Sequence, residues 1–280
     1  MKFNIFIVKP DGYIYADAFL ELGELLHYSL IELGHDSSIK INHIDKGAIN
    51  IIIGCHLLSL DLIPNLQSST IILNTEQLEY DEMGWNSKIF AWASKYETWD
   101  YSPKNINYFH QSGVTNVRHF KLGFQKELQR LNRQKKKDID ILFYGCINQR
   151  RKEVLNSLVK TGLNLKILSS TFGAERDSYV ERSKLVLNLH LFQSEVFEVV
   201  RVFYLLTNGI AVVGEINPTT SLESRFLSGF FPSKKQDLVE SCIRLVNDHQ
   251  LRMLIQEKAI DCISQYPQST YTDELLGMLK

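Results

Sequence analysis

The chain has 280 residues, 44% hydrophobic and 22% charged, with a net charge of −1. It is long enough for one large or two medium α/β domains, and it carries no bulk field that would favour nucleic acid or an anionic membrane. No apolar run approaches the ~18 residues of a membrane span, and MKFNIFIVKPDG is too short in its apolar part for a secretion signal, so a cytoplasmic protein is expected. The cysteines, Cys55, Cys146, Cys242 and Cys262, form no CxxC; Cys55 and Cys146 end apolar runs, where reduced, buried thiols are expected.

From the start of the chain, KFNIFIV predicts a strand closed by the turn PDGY, which contains Asp11 and Tyr13. ADAFLELGELLHYSLIELGH predicts an amphipathic helix with Phe19, Leu22, Leu26, Leu30 and Leu33 along one side, Gly34 past its end and Asp17 in its first turn. SSIKIN, INIIIG and STIILN are the next strands, and strands alternating with helices point to a parallel, doubly wound sheet. Their ends collect PDGY, Gly54 to His56 and NTEQ along one edge. There Asn74, Glu76 and Gln77 can hold a hydroxylated ligand, or cap and solvate a loop. SKIFAWASKYETWDYSPKNI continues with a helix, a short strand and a helix opened by Ser102 and Pro103. Trp99, Asp100 and Tyr101 combine a flat face with a carboxylate, as a sugar ring would require, although a Trp in an α/β core gives the same pattern. VRHFKLGF is the last strand of this half and carries Arg118, His119 and Lys121.

Residues 125–137, QKELQRLNRQKKK, are polar and charged without an apolar stripe. The basic run from Arg133 to Lys137 has no interleaved aromatics and reads as a solvated interdomain linker rather than a nucleic-acid site. The α/β pattern then restarts: IDILFYG is a strand, CINQRRKEVLNSLVKTG begins a helix, LNLKIL is a strand, and TFGAERDSYVERS supplies a loop and helix. LVLNLHL, a helix with Val199, Val202, Phe203 and Leu206 on its buried side, Gly209 as its stop and IAVVGE form a βαβ unit. Ligands of such sheets bind at the carboxyl ends of the strands, which here bring Gly145, Asn188, His190, Glu198 and Glu215 to one edge. Glu198 and Arg201, three apart on a face other than the apolar one, are a ligand-facing pair or a surface ion pair.

In their order and spacing NTEQL, WDYSPKNI, HFKLGF, DIDILFYG, NQRRKEVL, LVLNLHL, FEVVRVFYLLTNG and VVGE resemble bacterial glycosyltransferases of the two-domain GT-B architecture, the group called glycosyltransferase family 1-like. The resemblance implies two Rossmann-like doubly wound domains facing across a cleft: residues 1–124 for the acceptor, 125–137 as linker, 138–265 for the nucleotide sugar, and 266–280 as a helix that can pack back on the first domain. It implies transfer of a sugar from a nucleotide-sugar donor to a glycan or glycoconjugate acceptor in polysaccharide biosynthesis. No metal, no cofactor and no nucleic-acid partner are implied, and a lipid-linked acceptor would allow peripheral membrane association. Two other functions fit the same fold, a nucleotide-sugar epimerase or hydrolase and a non-catalytic nucleotide- or glycan-binding module. Retaining members of related families carry a pair of Glu residues around the helix after LVLNLHL; here Glu195 and Glu198 lie near its start, and Tyr204 stands where the second Glu would be. Asp138 and Asp140 flank Ile139 as a strand is entered, on the wrong side for a donor metal, and are structural.

On a metal-free route the leaving diphosphate must be met by cationic side chains and helix N-termini. Arg150 and Arg151, after the Gly145 strand end, are the first candidates, then Arg201 and Arg176; a solvated start to a helix is the plain alternative for the RRK run. Glu215 would accept ribose hydroxyls, Glu198 would orient the donor sugar or ribose, and Asn188 and His190 share their edge. For an inverting reaction the base would come from the first half, with Asp17 preferred over Asp11 and His56, although capping or a helix-dipole role also suits Asp17. Acceptor contacts are expected from Tyr13, His56, Asn74, Glu76, Gln77 and Asp100.

Overall fold

A computed structural model describes all residues except Tyr80, Glu82, Gln134, Ser194 and Lys280. The chain divides into two compact units, Met1–Leu122 with Gln268–Lys280, and Gly123–Pro267. Each is a parallel-sheet α/β unit, as the alternating pattern predicts.

The first unit contains β1 (Lys2–Ile7), α1 (Leu20–Glu32), β2 (Asp36–Ile41), β3 (Ile49–Ile53), β4 (Ile71–Asn74), α2 (Asn86–Ala93), β5 (Glu97–Asp100), α3 (Pro103–Gln111) and β6 (Val117–His119). The strand order is β2-β1-β3-β4-β5-β6 and every pairing is parallel. Ile51, Ile52 and Ile53 are all buried, as the middle strand of a sheet covered on both faces requires. Residues 14–19 form a separate 3-10 turn ahead of α1, so Asp17 stands outside the α-helix predicted around it. Ser102 caps α3 by accepting from the Asn105 amide, with Pro103 at the first helical position.

The second unit contains β7 (Ile139–Tyr144), α4 (Gln149–Val159), β8 (Leu165–Leu168), α5 (Gly173–Arg182), β9 (Ser183–Asn188), α6 (Val199–Thr207), β10 (Val212–Glu215), β11 (Phe231–Ser233), α7 (Leu238–Asn247) and α8 (His249–Ser264). Its order is β11-β10-β9-β7-β8, again all parallel. Phe143, Leu185, Leu187, Leu158, Leu238 and Leu245 meet in one buried cluster. Gly209 ends α6 at φ +61°, and a Cβ there would lie 2.7 Å from Ile260 Cδ1, so the glycine serves both the left-handed turn and the close approach of α8. The last helix, α9 (Gln268–Gly277), belongs to the first unit. It is tied to α1 by the buried Ser29–Thr272 hydroxyl pair at 2.8 Å.

Residues 125–133, expected as a solvated linker, are fastened to the second unit. Leu128 is buried, and the amides of Arg130 and Leu131 donate to Asn208 Oδ1 at 2.7 and 2.9 Å. Cys55, Cys242 and Cys262 are buried, but Cys146 is exposed, contrary to its expected burial, because it lies past the strand end in the loop before α4. Among the described residues no helix is long and apolar enough to cross a membrane.

In both sheets the strand first in sequence lies between the second and the third, so each has a topological switch point. In the first unit it falls between β1 and β3, in the second between β7 and β9. The loops after these strands are where open α/β sheets take ligands.

Candidate functional site

At the second switch point β7 ends in Gly145 with φ +129°. A Cβ on this residue would lie 2.6 Å from Arg201 Nη2 and 3.5 Å from Arg151 Nη1, so the strand end carries bare backbone beneath guanidinium groups. Arg201 is half-buried in the first turn of α6. Its Nη1 donates to Asn188 Oδ1 at 2.8 Å, and its guanidinium lies 5.1 Å from the Tyr144 ring centroid. Asn188, fully buried at the end of β9, in turn donates to Glu198 Oε2 at 3.0 Å.

Glu198 is the residue before α6 and an anchoring carboxylate. It accepts from Arg151 Nη2 at 3.0 Å and the Leu191 amide at 2.9 Å, and lies 3.4 Å from His190 Nδ1. Burial alone would raise its pKa, but His190, Arg151 and Arg201 outweigh that and bring the carboxyl down to about 2. With these partners Glu198 is a positioning group for Asn188 and Arg201.

Arg151 is 2% exposed and spends its donors within the fold. Besides Glu198 it reaches the carbonyls of His190, Cys146 and Leu189 at 3.3, 2.8 and 2.5 Å. Burial lowers its pKa to about 10, so it stays cationic. Arg150 grips Glu215 with both Nη groups, Nη1 to Oε2 at 2.7 Å and Nη2 to Oε1; that contact with Glu215 raises its pKa. Glu215 is 0% exposed and also accepts from the His190 amide at 3.1 Å and Asn217 Nδ2 at 3.0 Å. Neither Arg150 nor Arg151 is held as an open cation, and Glu215 does not present oxygens for a ribose; together they lock the loops after β7, β9 and β10. His190 is buried, with Nε2 3.0 Å from Thr220 Oγ1.

Arg176 is buried against Asp177, with Nε and Nη2 donating at 3.0 and 2.6 Å, and lies over the Tyr144 and Tyr204 rings at 5.5 and 4.9 Å. Tyr204 is 2% exposed. Its hydroxyl donates to Asp177 Oδ2 at 2.8 Å and accepts from Arg130 Nε at 3.0 Å, and burial, then Asp177, push its pKa up. The position expected to hold a second acid is thus closed by a buried phenol. Asp138 pairs with Arg182 and Asp140 with Lys184 at 2.7 Å, at the amino end of β7, opposite the ligand edge.

Sequence inspection passed over the loop after β10. Glu195, in the left-handed region at φ +51°, accepts from Asn217 Nδ2 at 2.9 Å and Thr219 Oγ1 at 2.6 Å. Its carbonyl receives the Ser221 amide at 2.9 Å, so this loop and the one entering α6 are stapled together. The polar run INPTTS straight after a buried strand was the available signal.

At the ligand edge of the first unit the predicted residues separate into two groups. Asp100 is fully buried and accepts from Asn74 Nδ2 at 2.7 Å, the Ser102 amide at 2.7 Å and Asn105 Nδ2 at 3.1 Å. Burial pushes it up to about 7 against these hydrogen bonds. Asn74 and Asn105 also reach the Glu76 carbonyl at 2.9 and 2.8 Å. Asp100 and Asn74, expected to touch an acceptor, therefore build the loop that carries Glu76. Trp99 is buried flat against Phe120 and offers no open face. His56, by contrast, faces the Glu76 carboxylate at 3.8 Å. Gln77 and Tyr13 are half-buried, Tyr13 edge-on to Tyr15 at 5.6 Å. Asp17 is half-buried and paired with Lys9 at 2.5 Å.

Compared with solved structures, the whole chain matches sucrose-phosphate synthase from Thermosynechococcus elongatus with a TM-score of 0.61 and 8% identity, covering 98% of that chain. The DNA-modifying β-glucosyltransferase matches at 0.60 and 13%, over 98% of both chains. Anabaena HepE in complex with UDP matches at 0.55 and 14%, over 100% of this chain and 99% of that one. The fold is of the GT-B type. At these identities the likeness is one of fold, and no family model matches the chain. Two uncharacterized proteins of Acanthamoeba polyphaga mimivirus are related in sequence. One is 25% identical over 178 residues, covering 63% of this chain and 56% of that protein; the other is 26% identical over 196 residues, covering 68% and 25%. The chain thus spans about half and a quarter of these relatives. Both are viral, so the bacterial affiliation expected from the resemblance finds no support in them. In GT-B terms the Gly145–Arg201 edge lies in the second α/β unit and the His56–Glu76 edge in the first.

Proposed function

We propose that this chain transfers a glycosyl group from a nucleotide-sugar donor to a hydroxylated, glycan-type acceptor, with protein cations rather than a metal meeting the leaving diphosphate. The observation that carries the reading is bare backbone at Gly145 beneath Arg201, a half-buried residue whose guanidinium is held by Asn188. Diphosphate oxygens can approach such a strand end closely. There Arg201 and the N-terminus of α4, capped by Asn148, favour negative charge. As the glycosidic bond breaks, charge grows on the phosphate oxygens, and a preorganised guanidinium stabilises that state more than the ground state. Asn188 holds Arg201 and is itself held by Glu198, which Arg151 anchors, and Arg150–Glu215 keeps the surrounding loops closed. Two of the three fold neighbours named above were solved with UDP or uridine diphosphoglucose, which makes uridine nucleotides the first donors to try.

Cys146, next to Gly145 and exposed while the other three cysteines are buried, provides the test. Alkylation of Cys146 should slow saturably with UDP or a UDP-sugar in the presence of EDTA, and Arg201→Ala should abolish that protection while the far-UV spectrum is kept. If no nucleotide in a panel of nucleoside diphosphates and nucleotide sugars protects Cys146, the donor assignment is wrong. A non-catalytic nucleotide-binding module is the second reading, favoured by Tyr204, whose buried phenol stands where the resemblance expects an acid. It predicts the same protection without release of nucleoside diphosphate under any acceptor.

A further inference from the structure

The first unit contains a buried imidazole whose two nitrogens find no hydrogen-bond partner among the described residues. His56 follows β3 at the first switch point and is 1% exposed, yet neither Nδ1 nor Nε2 has a hydrogen-bond partner among the described residues. A buried polar group in that state calls for a ligand or water, because its desolvation is otherwise uncompensated. The group nearest in charge is Glu76, whose Oε1 lies 3.8 Å from Nε2. That is too long for a direct hydrogen bond, yet one oxygen set off the line between them can reach both at about 2.8 Å.

We propose that His56, Glu76 and Trp85 form a saccharide-binding site in the first unit, in which one sugar hydroxyl bridges the imidazole and the carboxylate while the ring lies against the open part of Trp85. Trp85 stacks on His56 with centroids 4.3 Å apart and planes at 31°, and it is half-buried. Phe19 closes the other side edge-on at 6.4 Å. The carboxylate side is the way in, because the Glu76 side chain is 27% exposed. A rigid aromatic beside a buried donor and acceptor suits a hydroxylated ring rather than an anion. Among the described residues no set of three ligating side chains assembles for a metal.

The charge state fits. Burial, then Lys88, lowers His56 to about 4, and burial raises Glu76 to about 7. Cys55, the residue before His56, is pushed up to about 12 by burial and Glu76 and stays a thiol. The 3.8 Å contact is therefore not an ion pair at neutral pH, and the imidazole keeps one donor and one acceptor for a hydroxyl. The role of this site as the acceptor site rests on the transfer reading; the binding itself does not.

Trp92 and Trp99 are fully buried, so fluorescence quenching by iodide reports on Trp85. Methyl glucoside, methyl galactoside and methyl mannoside are the probes. At least one should protect Trp85 from iodide saturably in the wild-type chain. His56→Phe keeps the stacking and removes both nitrogens, and Glu76→Ala removes the other partner. Each should weaken binding about tenfold or more, as for one buried hydrogen bond, while UDP protection of Cys146 is unchanged. Should His56→Phe fail to fold, Glu76→Ala carries the test. Absence of protection by all three glycosides, or wild-type affinity in the variants, overturns the proposal. So does a His56→Phe chain that is more stable while the wild type binds no glycoside, since the gap then holds only water. Glycoside binding without UDP protection would instead overturn the donor assignment and leave this site standing.

Discussion

Gly145 and Arg201 form a pair in which one residue makes room for the other. A Cβ at Gly145 falls 2.6 Å from the far end of a flexible side chain, so Gly145→Ala is met by moving Arg201 rather than by unfolding. The backbone at φ +129° adds a penalty of about 1–3 kcal/mol. Gly145→Ala should therefore fold with a lowered melting temperature and lose UDP affinity by about tenfold or more, since the guanidinium is pushed off its place over Tyr144. Gly162→Ala is the control. It also has positive φ, at +76°, but nothing lies within 4 Å of the added Cβ, so stability falls while Cys146 protection by UDP persists. Equal affinity in the Gly145 variant would show that this strand end does not touch the donor. Sequence position alone brings Arg150, Arg151 and Arg201 to the same edge and cannot rank them. Burial sets Arg151 apart and charge partners divide the other two, which are both half-buried: Arg151 goes to three carbonyls and Glu198, Arg150 to the Glu215 carboxylate, and Arg201 to the neutral Asn188 amide. The same limit hid Trp85, which sits in a polar stretch without periodicity, and made Asp100 look like a ligand contact although it is sealed among Asn74, Ser102 and Asn105.

Elements were more legible than sites, because strands buried on both faces must be continuous apolar runs, and INIII, IILN and IDILFY mark β3, β4 and β7 directly. Charge density misled at 125–133. That segment has no apolar stripe, but it is held through its backbone, and backbone partners leave no trace in composition. Asn208, the residue after α6, does most of the holding. Its Oδ1 accepts from the amides of Arg130 and Leu131, and its Nδ2 donates to the carbonyls of Leu128 and Tyr204, both at 2.9 Å. Asn208→Ala leaves buried backbone groups unpaired and should cost about 2–4 kcal/mol, lowering the melting temperature by roughly 4–16 °C for a unit of this size. Lys126→Ala, at an exposed position of the same segment, should leave it unchanged. Equal melting temperatures for the two variants would return 125–133 to the status of a solvated linker.

Across the molecule the two units carry buried acids of opposite kind, so their stabilities should respond to pH in opposite directions. In the second unit, against burial, His190, Arg151 and Arg201 bring the Glu198 carboxyl down to about 2, compared with 4.5 for the free group. Its contribution is complete above about 4.5 and is lost as pH falls toward 2; by linkage it amounts to about 3 kcal/mol. In the first unit Asp100 is raised from 3.8 to about 7 and Glu76 from 4.5 to about 7, both by burial. The folded unit then holds protons that the unfolded chain has released, so its stability falls as pH rises from about 4 to 7. His56, lowered from 6.5 to about 4, works against this over part of the range, one imidazole against two carboxyls. Hydrogen exchange resolved by peptide, at pH 5 and pH 8, should show the sheet of the first unit more protected at pH 5 after correction for intrinsic rates. The sheet of the second unit should be unchanged over that interval and weaken only below about 4.5. Asp100→Asn removes the charge but sets an amide N–H2 against the Asn74 or Ser102 donor, so it is read by its pH response and not by its absolute stability. It should flatten the response of the first unit and leave the second untouched, whereas a first unit as protected at pH 8 as at pH 5, with Asp100 intact, would show that this carboxyl is not held protonated by burial.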